Sequence, residues 1–231
     1  MTAEMEPISH TNSKAYIGLP GTGKTINILA DINKDIKQGK NVIYINTRDS
    51  YVSFKKYFNE HKLCRIDTDQ LAEESHYDGN CRLTVIEAAK LRNMDFKDRI
   101  CIETDLIKLV MKLAGNSDNT SLYIDELGCM TVENLEYLLN EFAGPVVFSA
   151  QNFKCLSRLK GLNKLIRHWR IFRSNFQEET PIHLNEELRN KIRELKVFPN
   201  NSDYIEYCDI VDNKHHFDHL DFTGEVKMLL G

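Results

Sequence analysis

The chain has 231 residues, 42% hydrophobic and 28% charged, with a formal net charge of −4, the balance of an ordinary soluble protein and room for one α/β domain with a short appendage or two small domains. No run of about 18 apolar residues occurs, which argues against a membrane-spanning helix, and Met1–Pro7 is acidic and polar, unlike a secretory leader. A total this close to neutral excludes little about partners, so the pattern along the chain has to speak.

Residues 1–13 read as a flexible lead-in. Lys14–Ile17 reads as a buried strand, and Ile26–Lys37 carries Ile28, Leu29, Ile32 and Ile36 at helical spacing. Between them lies Gly18-Leu19-Pro20-Gly21-Thr22-Gly23-Lys24-Thr25, which fits G-x-x-x-x-G-K-[ST] at every defined position. A strand, a glycine-rich turn and a helix start make a nucleoside-triphosphate site. The residues Gly18, Pro20, Gly21, Thr22 and Gly23 let backbone N–H groups face phosphate oxygens, and the helix start adds its partial positive charge. In this reading Lys24 reaches the β- and γ-phosphates and the Thr25 hydroxyl ligates Mg2+.

The first helix should end near Gly39. Asn41–Asn46 follows as a β-rich apolar run, Thr47–Ser50 as turn and cap, Tyr51–Phe58 as a second helix and Leu63–Ile66 as a short strand. Strands alternating with helices predict βαβ units and a largely parallel sheet. Residues 67–80 are acidic and polar, a loop with a short helix. Leu83–Ile86 suits a strand, and Ile102–Ala114 a helix with Leu106, Ile107, Leu109, Val110 and Leu113 on one face.

Leu122-Tyr123-Ile124 then reads as a buried strand with Asp125-Glu126 at its C-terminal end. An acid at this place holds the Mg2+ shell beside the threonine hydroxyl, and a following glutamate can orient and deprotonate an attacking water. The pair favours a hydrolase over a small-molecule kinase, which needs no water activator. Thr131–Phe142 is amphipathic through Val132, Leu135, Leu138, Leu139 and Phe142; Gly144-Pro145 ends it. Val146–Ala150 is a further strand, tipped by Gln151-Asn152. Gln151 is placed to bond the γ-phosphate or the attacking water. In the AAA+ ATPases, which Pro20–Thr25 also resembles, Asn152 would serve as the sensor.

From Phe142 to Gln177 there is no Asp or Glu but seven basic residues, Lys154, Arg158, Lys160, Lys164, Arg167, Arg170 and Arg173, so the remainder holds the whole acidic excess. Leu156, Leu159, Leu162, Leu165 and Ile166 give this segment the apolar face of a helix broken at Gly161, and Trp169–Arg173 alternates like a half-exposed strand. The 154–173 segment suits salt-sensitive contact with a polyanion, or simply a solvated basic face. Beyond Glu178, Asn185–Leu195 looks helical with Leu188, Ile192 and Leu195 inward, and residues 203–211 suit a strand paired with the following residues. His215, His216, Asp218 and His219 resemble metal ligands only loosely, lacking cysteine partners, and a polar surface loop is the simpler reading. Six cysteines without a C-x-x-C pair point to reduced thiols in a cytosol-like, cytoplasmic compartment, several as small apolar fillers in strands.

Taken together, Gly18–Thr25, Gly39-Lys40-Asn41-Val42-Ile43-Tyr44, Tyr123-Ile124-Asp125-Glu126 and the strand ending at Gln151 resemble the additional-strand, catalytic-glutamate branch of P-loop ATPases. Within that branch they are most similar to the FtsK–HerA group, which includes Zot-like proteins and viral genome-packaging ATPases. The resemblance covers roughly residues 14–175. It implies a three-layer αβα sandwich with a mostly parallel central sheet, a core over 14–177 and an α+β appendage over 178–231. It also implies ATP and Mg2+, a homo-oligomer (a hexamer included), and a motor moving nucleic acid, DNA before RNA, encoded by a virus or mobile element. Leu165–Phe172 would lead into an antiparallel strand, and an arginine finger would come from a neighbour, with Arg158, Arg167, Arg170 and Arg173 as candidates by position. Superfamily-one helicases and AAA+ ATPases share parts of the pattern, a Zot-type assembly switch with little turnover is a second functional class, and a nucleoside kinase a third.

Overall fold

In the computed structural model the described residues are 13–47, 63–68, 81–115, 117–156, 159, 166–176, 180–197 and 204–221. The expected helix Tyr51–Phe58, most of the 67–80 loop, Arg158, Lys160, Gly161, Leu162, Lys164 and Leu165 lie outside them, as does the lead-in before Ser13.

Among the described residues nine strands form one sheet: β1 (Lys14–Ile17), β2 (Asn41–Asn46), β3 (Leu63–Asp67), β4 (Leu83–Glu87), β5 (Thr120–Asp125), β6 (Val146–Ala150), β7 (His168–Ile171), β8 (Tyr204–Val211) and β9 (Lys214–Asp221). Their spatial order is β3-β4-β2-β5-β6-β1-β7-β8-β9. The seven from β3 to β7 pair in parallel, and the β7–β8 and β8–β9 pairings are antiparallel. Strand β6 is therefore inserted between β1, which leads into the glycine-rich loop, and β5, which ends in the acids. The residues after 178 add β8 and β9 to this same sheet.

Why both faces are buried can be read in the strands themselves. Tyr16, Tyr44, Tyr123 and Val147 point to one side, with Ile28, Leu29, Ile32 and Ile36 of helix α1 (Lys24–Lys37) packed on them. Their neighbours Ala15, Ile17, Ile43, Ile45, Ile124 and Phe148 point to the other side. There they meet Leu106 and Val110 of α2 (Phe96–Ala114), Leu135 and Leu138 of α3 (Val132–Glu141), and Leu188 and Ile192 of α4 (Glu186–Arg193). Alternation with period two thus produces two cores around one sheet, the three layers expected of doubly covered parallel strands. The fold is the expected P-loop NTPase αβα sandwich.

The helices begin and end for local reasons. Asp95 accepts from the N–H groups of Lys97 and Asp98 and starts α2 a turn and a half before the expected Ile102. Asn185 caps α4 through Leu188 N–H at 2.8 Å. Gly39, at φ 81°, closes α1 in the left-handed region.

One expectation is corrected and two are narrowed. Trp169–Arg173 keeps its expected alternation, with Trp169 and Ile171 buried and Arg173 exposed, but β7 lies inside the sheet between β1 and β8, so Arg170 is largely covered. His215, His216, Asp218 and His219 do not form a loop but lie on β9, the edge strand of the terminal hairpin. The cysteines divide: Cys208 is buried in β8 and Cys64 is half-buried in β3, whereas Cys101 is exposed on a helix. Among the described residues no helix is long and apolar enough to cross a membrane.

Candidate nucleotide site

In a parallel sheet every strand delivers its C-terminal residue to one edge, and that edge is where ligands bind in open α/β folds. Here it collects the loop after β1, Asn46-Thr47 at the end of β2, Glu87 of β4, Asp125-Glu126 at the end of β5 and Gln151 after β6. The insertion of β6 places Gln151 between the loop and the acids.

The loop is fixed from both sides. Gly18 N–H donates to Ala150 O of β6 at 3.2 Å, and Leu19 N–H to Arg173 O beyond β7 at 3.0 Å. Thr22 is buried and its hydroxyl donates to Leu19 O at 2.8 Å. Gly21 and Gly23 take φ of 75° and 92°. At Gly23 a Cβ would also lie 2.4 Å from Ile205 Cδ1, so β8 roofs the loop closely enough to admit only glycine. Gly23 is the N-cap of α1, with no side-chain cap and no acid in the first turn. The first N–H groups of a helix lack intrahelical partners, and this start, with no acid of its own in the first turn, is suited to an anion. Lys24 is almost fully buried, with Nζ 2.6 Å from Gly18 O and 2.8 Å from Leu19 O, so the ammonium lies folded over the loop.

Thr25 and Asp125, 100 residues apart, meet here: Thr25 Oγ1 donates to Asp125 Oδ2 at 2.8 Å. Asp125 is completely buried and its other oxygen accepts from Ser149 Oγ at 2.7 Å, while Tyr44 OH stands 3.5 Å from Oδ2. Thr47 hydroxyl donates to Asp125 O. Ser149 Oγ also accepts Glu126 N–H at 2.8 Å, so one hydroxyl fixes both acids. A hydroxyl and a carboxylate side by side, both hard oxygen donors, suit Mg2+ rather than a softer ion. Among the described residues no group of three or more His, Cys, Asp or Glu side chains gathers to hold a metal. A site with two protein oxygens fits an ion that keeps waters and shares phosphates.

Glu126 turns away from the strand with φ 67°, unusual for a residue with a side chain. That turn aims its carboxylate along the sheet edge, where Oε1 accepts from Gln151 Nε2 and Oε2 from the Arg92 guanidinium. The structure thus brings together all the expected site residues, Gly18 to Thr25, Asp125, Glu126 and Gln151. A cavity of about 240 Å³ adjoins them, bounded by Leu19, Pro20, Gln151, Asn152 and Asn175.

The sequence reading missed Ser149, Thr47, Arg92 and the polar stripe of α1. Asn27 Oδ1 accepts from Arg170 Nη1 at 3.0 Å, Asp31 accepts from Lys14 at 2.9 Å and from Tyr16, and Asp35 accepts from Tyr123 at 2.9 Å. Burial alone would raise the Asp31 carboxyl, but the Lys14 charge and the Tyr16 hydroxyl hold it below its ordinary value. A signal existed: Asn27, Asp31 and Asp35 recur every four residues, opposite tyrosines in otherwise apolar strands.

The arginine candidates separate. Arg170 pairs with Asp209 through two hydrogen bonds of 2.8 Å and stacks 3.9 Å from the Tyr207 ring centre, so it is committed within its own chain and cannot act as a finger. Arg167 is exposed before β7, at the end of the strand away from the loop, and Arg173 is exposed after it, beside Leu19. Lys154 is exposed too.

No protein-family model and no curated protein matches the chain. Among solved structures, the genome packaging NTPase B204 from Sulfolobus turreted icosahedral virus 2 in complex with AMPPCP is 16% identical, covering 91% of this chain and 97% of that one at a TM-score of 0.58. Its complex with AMP is 13% identical, with 91% and 96% covered, again at 0.58. VirB4 of Thermoanaerobacter pseudethanolicus is 8% identical, with 93% and 91% covered, at 0.62. Likeness at these identities establishes the fold.

Proposed function

We propose that this chain, a P-loop NTPase by fold, is an Mg2+-dependent ATP hydrolase whose turnover drives movement of nucleic acid. The observation that carries the hydrolase reading is the 2.8 Å contact of Thr25 with Asp125 beside a Glu126 that touches Gln151. Bound Mg2+ would neutralise charge on the phosphates and be held by Thr25 Oγ1 and Asp125. Backbone N–H groups from Gly21 to Thr25 would cradle the phosphates, and Lys24 Nζ would exchange its loop carbonyls for phosphate oxygens. Glu126 would take a proton from the attacking water, and Gln151, one strand closer to the loop, would orient that water and register the γ-phosphate.

The nucleic-acid half of the proposal rests on the exposed Lys154, Arg167 and Arg173 of the basic segment and on the likeness to a genome packaging NTPase. An assembly of several copies, each offering a basic surface to one polyanion, follows from the same reading. The choice of ATP rests on no base-reading contact.

The test is an ATPase assay with single-stranded DNA, double-stranded DNA and RNA, each at two salt concentrations. Stimulation that weakens with salt supports the motor. Lys24→Ala should abolish turnover, and Glu126→Gln should bind ATP without turning it over. Hydrolysis indifferent to every nucleic acid, and unchanged by Arg167→Glu, would sink the motor while leaving the hydrolase.

A further inference from the structure

We propose that the cavity beside the phosphate loop is a pocket for one unpaired base of a nucleic-acid strand; this rests on the nucleic-acid reading made above. The cavity, of about 240 Å³, has two walls. Gln151, Asn152 and Phe153 come from the end of β6, and Ser174, Asn175 and Phe176 from the turn beyond β7. Leu19 and Pro20 of the phosphate loop also line it. Both walls belong to the stretch from Phe142 to Gln177, which has no Asp or Glu. Exposed Lys154 follows one wall directly in the chain, and exposed Arg173 directly precedes the other.

The lining has the chemistry of a base pocket. Phe153 and Phe176 present ring surface to it, their centres 6.1 Å apart. Trp169 lies 6.0 Å from the Phe153 ring centre and the Arg189 guanidinium 5.8 Å from that of Phe176, so both rings are held before any ligand arrives. Ser174 Oγ donates to Phe172 O at 2.9 Å, which fixes the turn that carries Asn175. The carboxamides of Asn152 and Asn175 offer both donors and acceptors, as the edge of a base requires. No carboxylate lines the cavity to repel the phosphates of a strand, and Lys154 and Arg173 are close enough along the chain to attract them. Its volume falls below the range of about 300–1,000 Å³ for drug-sized ligands, which suits one ring system rather than a whole nucleotide. Stacking on aromatic rings tolerates any sequence, as a motor needs.

The base of the bound ATP is the wrong occupant. The helix start cradles the α- and β-phosphates and Lys24 reaches the β- and γ-phosphates, while Gln151 is the group assigned to the γ-phosphate. A cavity walled by Gln151 therefore lies at the end of the triphosphate away from the nucleoside. Unstacking costs least for a base that is already single-stranded, so a single strand fits better than a duplex. Once seated, the base abuts Gln151, whose Nε2 donates to Glu126 Oε1. Filling the pocket thus reaches the pair that handles the attacking water.

The test measures fluorescence anisotropy of labelled oligonucleotides with the full chain and a non-hydrolysable ATP analogue, beside ATPase stimulation. The probes are a single strand of mixed sequence, the same strand carrying abasic sites, and the duplex. The intact strand should bind roughly tenfold more tightly than the abasic one, the worth of a stacked base, and more tightly than the duplex. Phe176→Leu, which keeps apolar volume, and Asn175→Ala should each narrow that gap and lower stimulation, leaving the abasic strand's affinity unchanged. If Phe176→Leu fails to fold in a thermal melt, Asn175→Ala, at an exposed position, carries the test. Equal binding and stimulation by intact and abasic strands overturns the pocket and leaves the motor. Binding of no strand overturns both. Weaker binding of a fluorescent ATP analogue in these variants, with strand affinity unmoved, assigns the cavity to the nucleotide's own base and overturns the proposal.

Discussion

At Gly23 one missing side chain serves two demands. The residue needs φ 92°, and any Cβ would run into Ile205 of the terminal hairpin. Gly23→Ala should therefore lose nucleotide binding and melt at lower temperature, both read in one thermal-shift titration with ATP. Ser149 is the second residue whose loss should be specific. Its hydroxyl donates to Asp125 Oδ1 and accepts from Glu126 N–H. Ser149→Ala should raise the Mg2+ concentration needed for half-maximal activity by roughly tenfold, as supporting hydrogen bonds to ligands commonly do. It should leave the fold intact. A magnesium titration that is unmoved would mean the serine holds the backbone of Glu126 and nothing more.

Helix α1 carries the loop's lysine and threonine, so its seating on the sheet decides their positions. Apolar contacts through Ile28, Leu29 and Ile32 hold it down without fixing its rotation or its slide. Directional bonds from Asn27, Asp31 and Asp35 to Arg170, Tyr16 and Tyr123 supply that. Arg170 is the hub, joining α1, β7 and β8. Burial by itself would raise the Asp209 carboxyl, but hydrogen bonds and charge from Arg170, with His168 3.1 Å away, hold it well below the usual carboxylate range. A depressed folded value adds stability that is present above the unfolded value of about 4 and is lost as pH falls through the folded one. Arg170→Ala leaves a covered carboxylate beside His168 but without its guanidinium, and should cost about 3 kcal/mol at neutral pH. The difference from the parent should shrink below about pH 4, where Asp209 can be protonated in the variant. Urea unfolding of both proteins at neutral and acid pH checks this, and a constant difference across pH would reject the pairing as its source.

For the whole molecule, the sheet edge gathers phosphate loop, acids and sensor from segments as distant as Gly18 and Gln151, so ligand and fold should be coupled. ATP with Mg2+ at a hundredfold excess over Kd should stabilise the chain by about 2.7 kcal/mol. EDTA should remove most of that gain if Thr25 and Asp125 share the ion. Equal protection with and without Mg2+ would show that the phosphates alone supply the binding. The terminal hairpin is part of this unit, since β8 pairs with β7 and Ile205 covers the loop.

The amino-acid sequence alone fixes the local chemistry: the glycine, lysine and threonine of Gly18–Thr25 are set by phosphate geometry, and the period-two runs of β1, β2, β5 and β6 by burial on both faces. These are short-range constraints, and a linear pattern records them. Strand order is different in kind. That β6 lies between β1 and β5, that Arg92 reaches Glu126, and that Arg170 is sealed in a pair with Asp209 all depend on which segments become neighbours. Spacing along the chain does not encode that, because an arginine in or beside a strand looks alike whether it faces solvent or a carboxylate. Only the packed sheet distinguishes the two, by burying one charge and leaving the other at the edge.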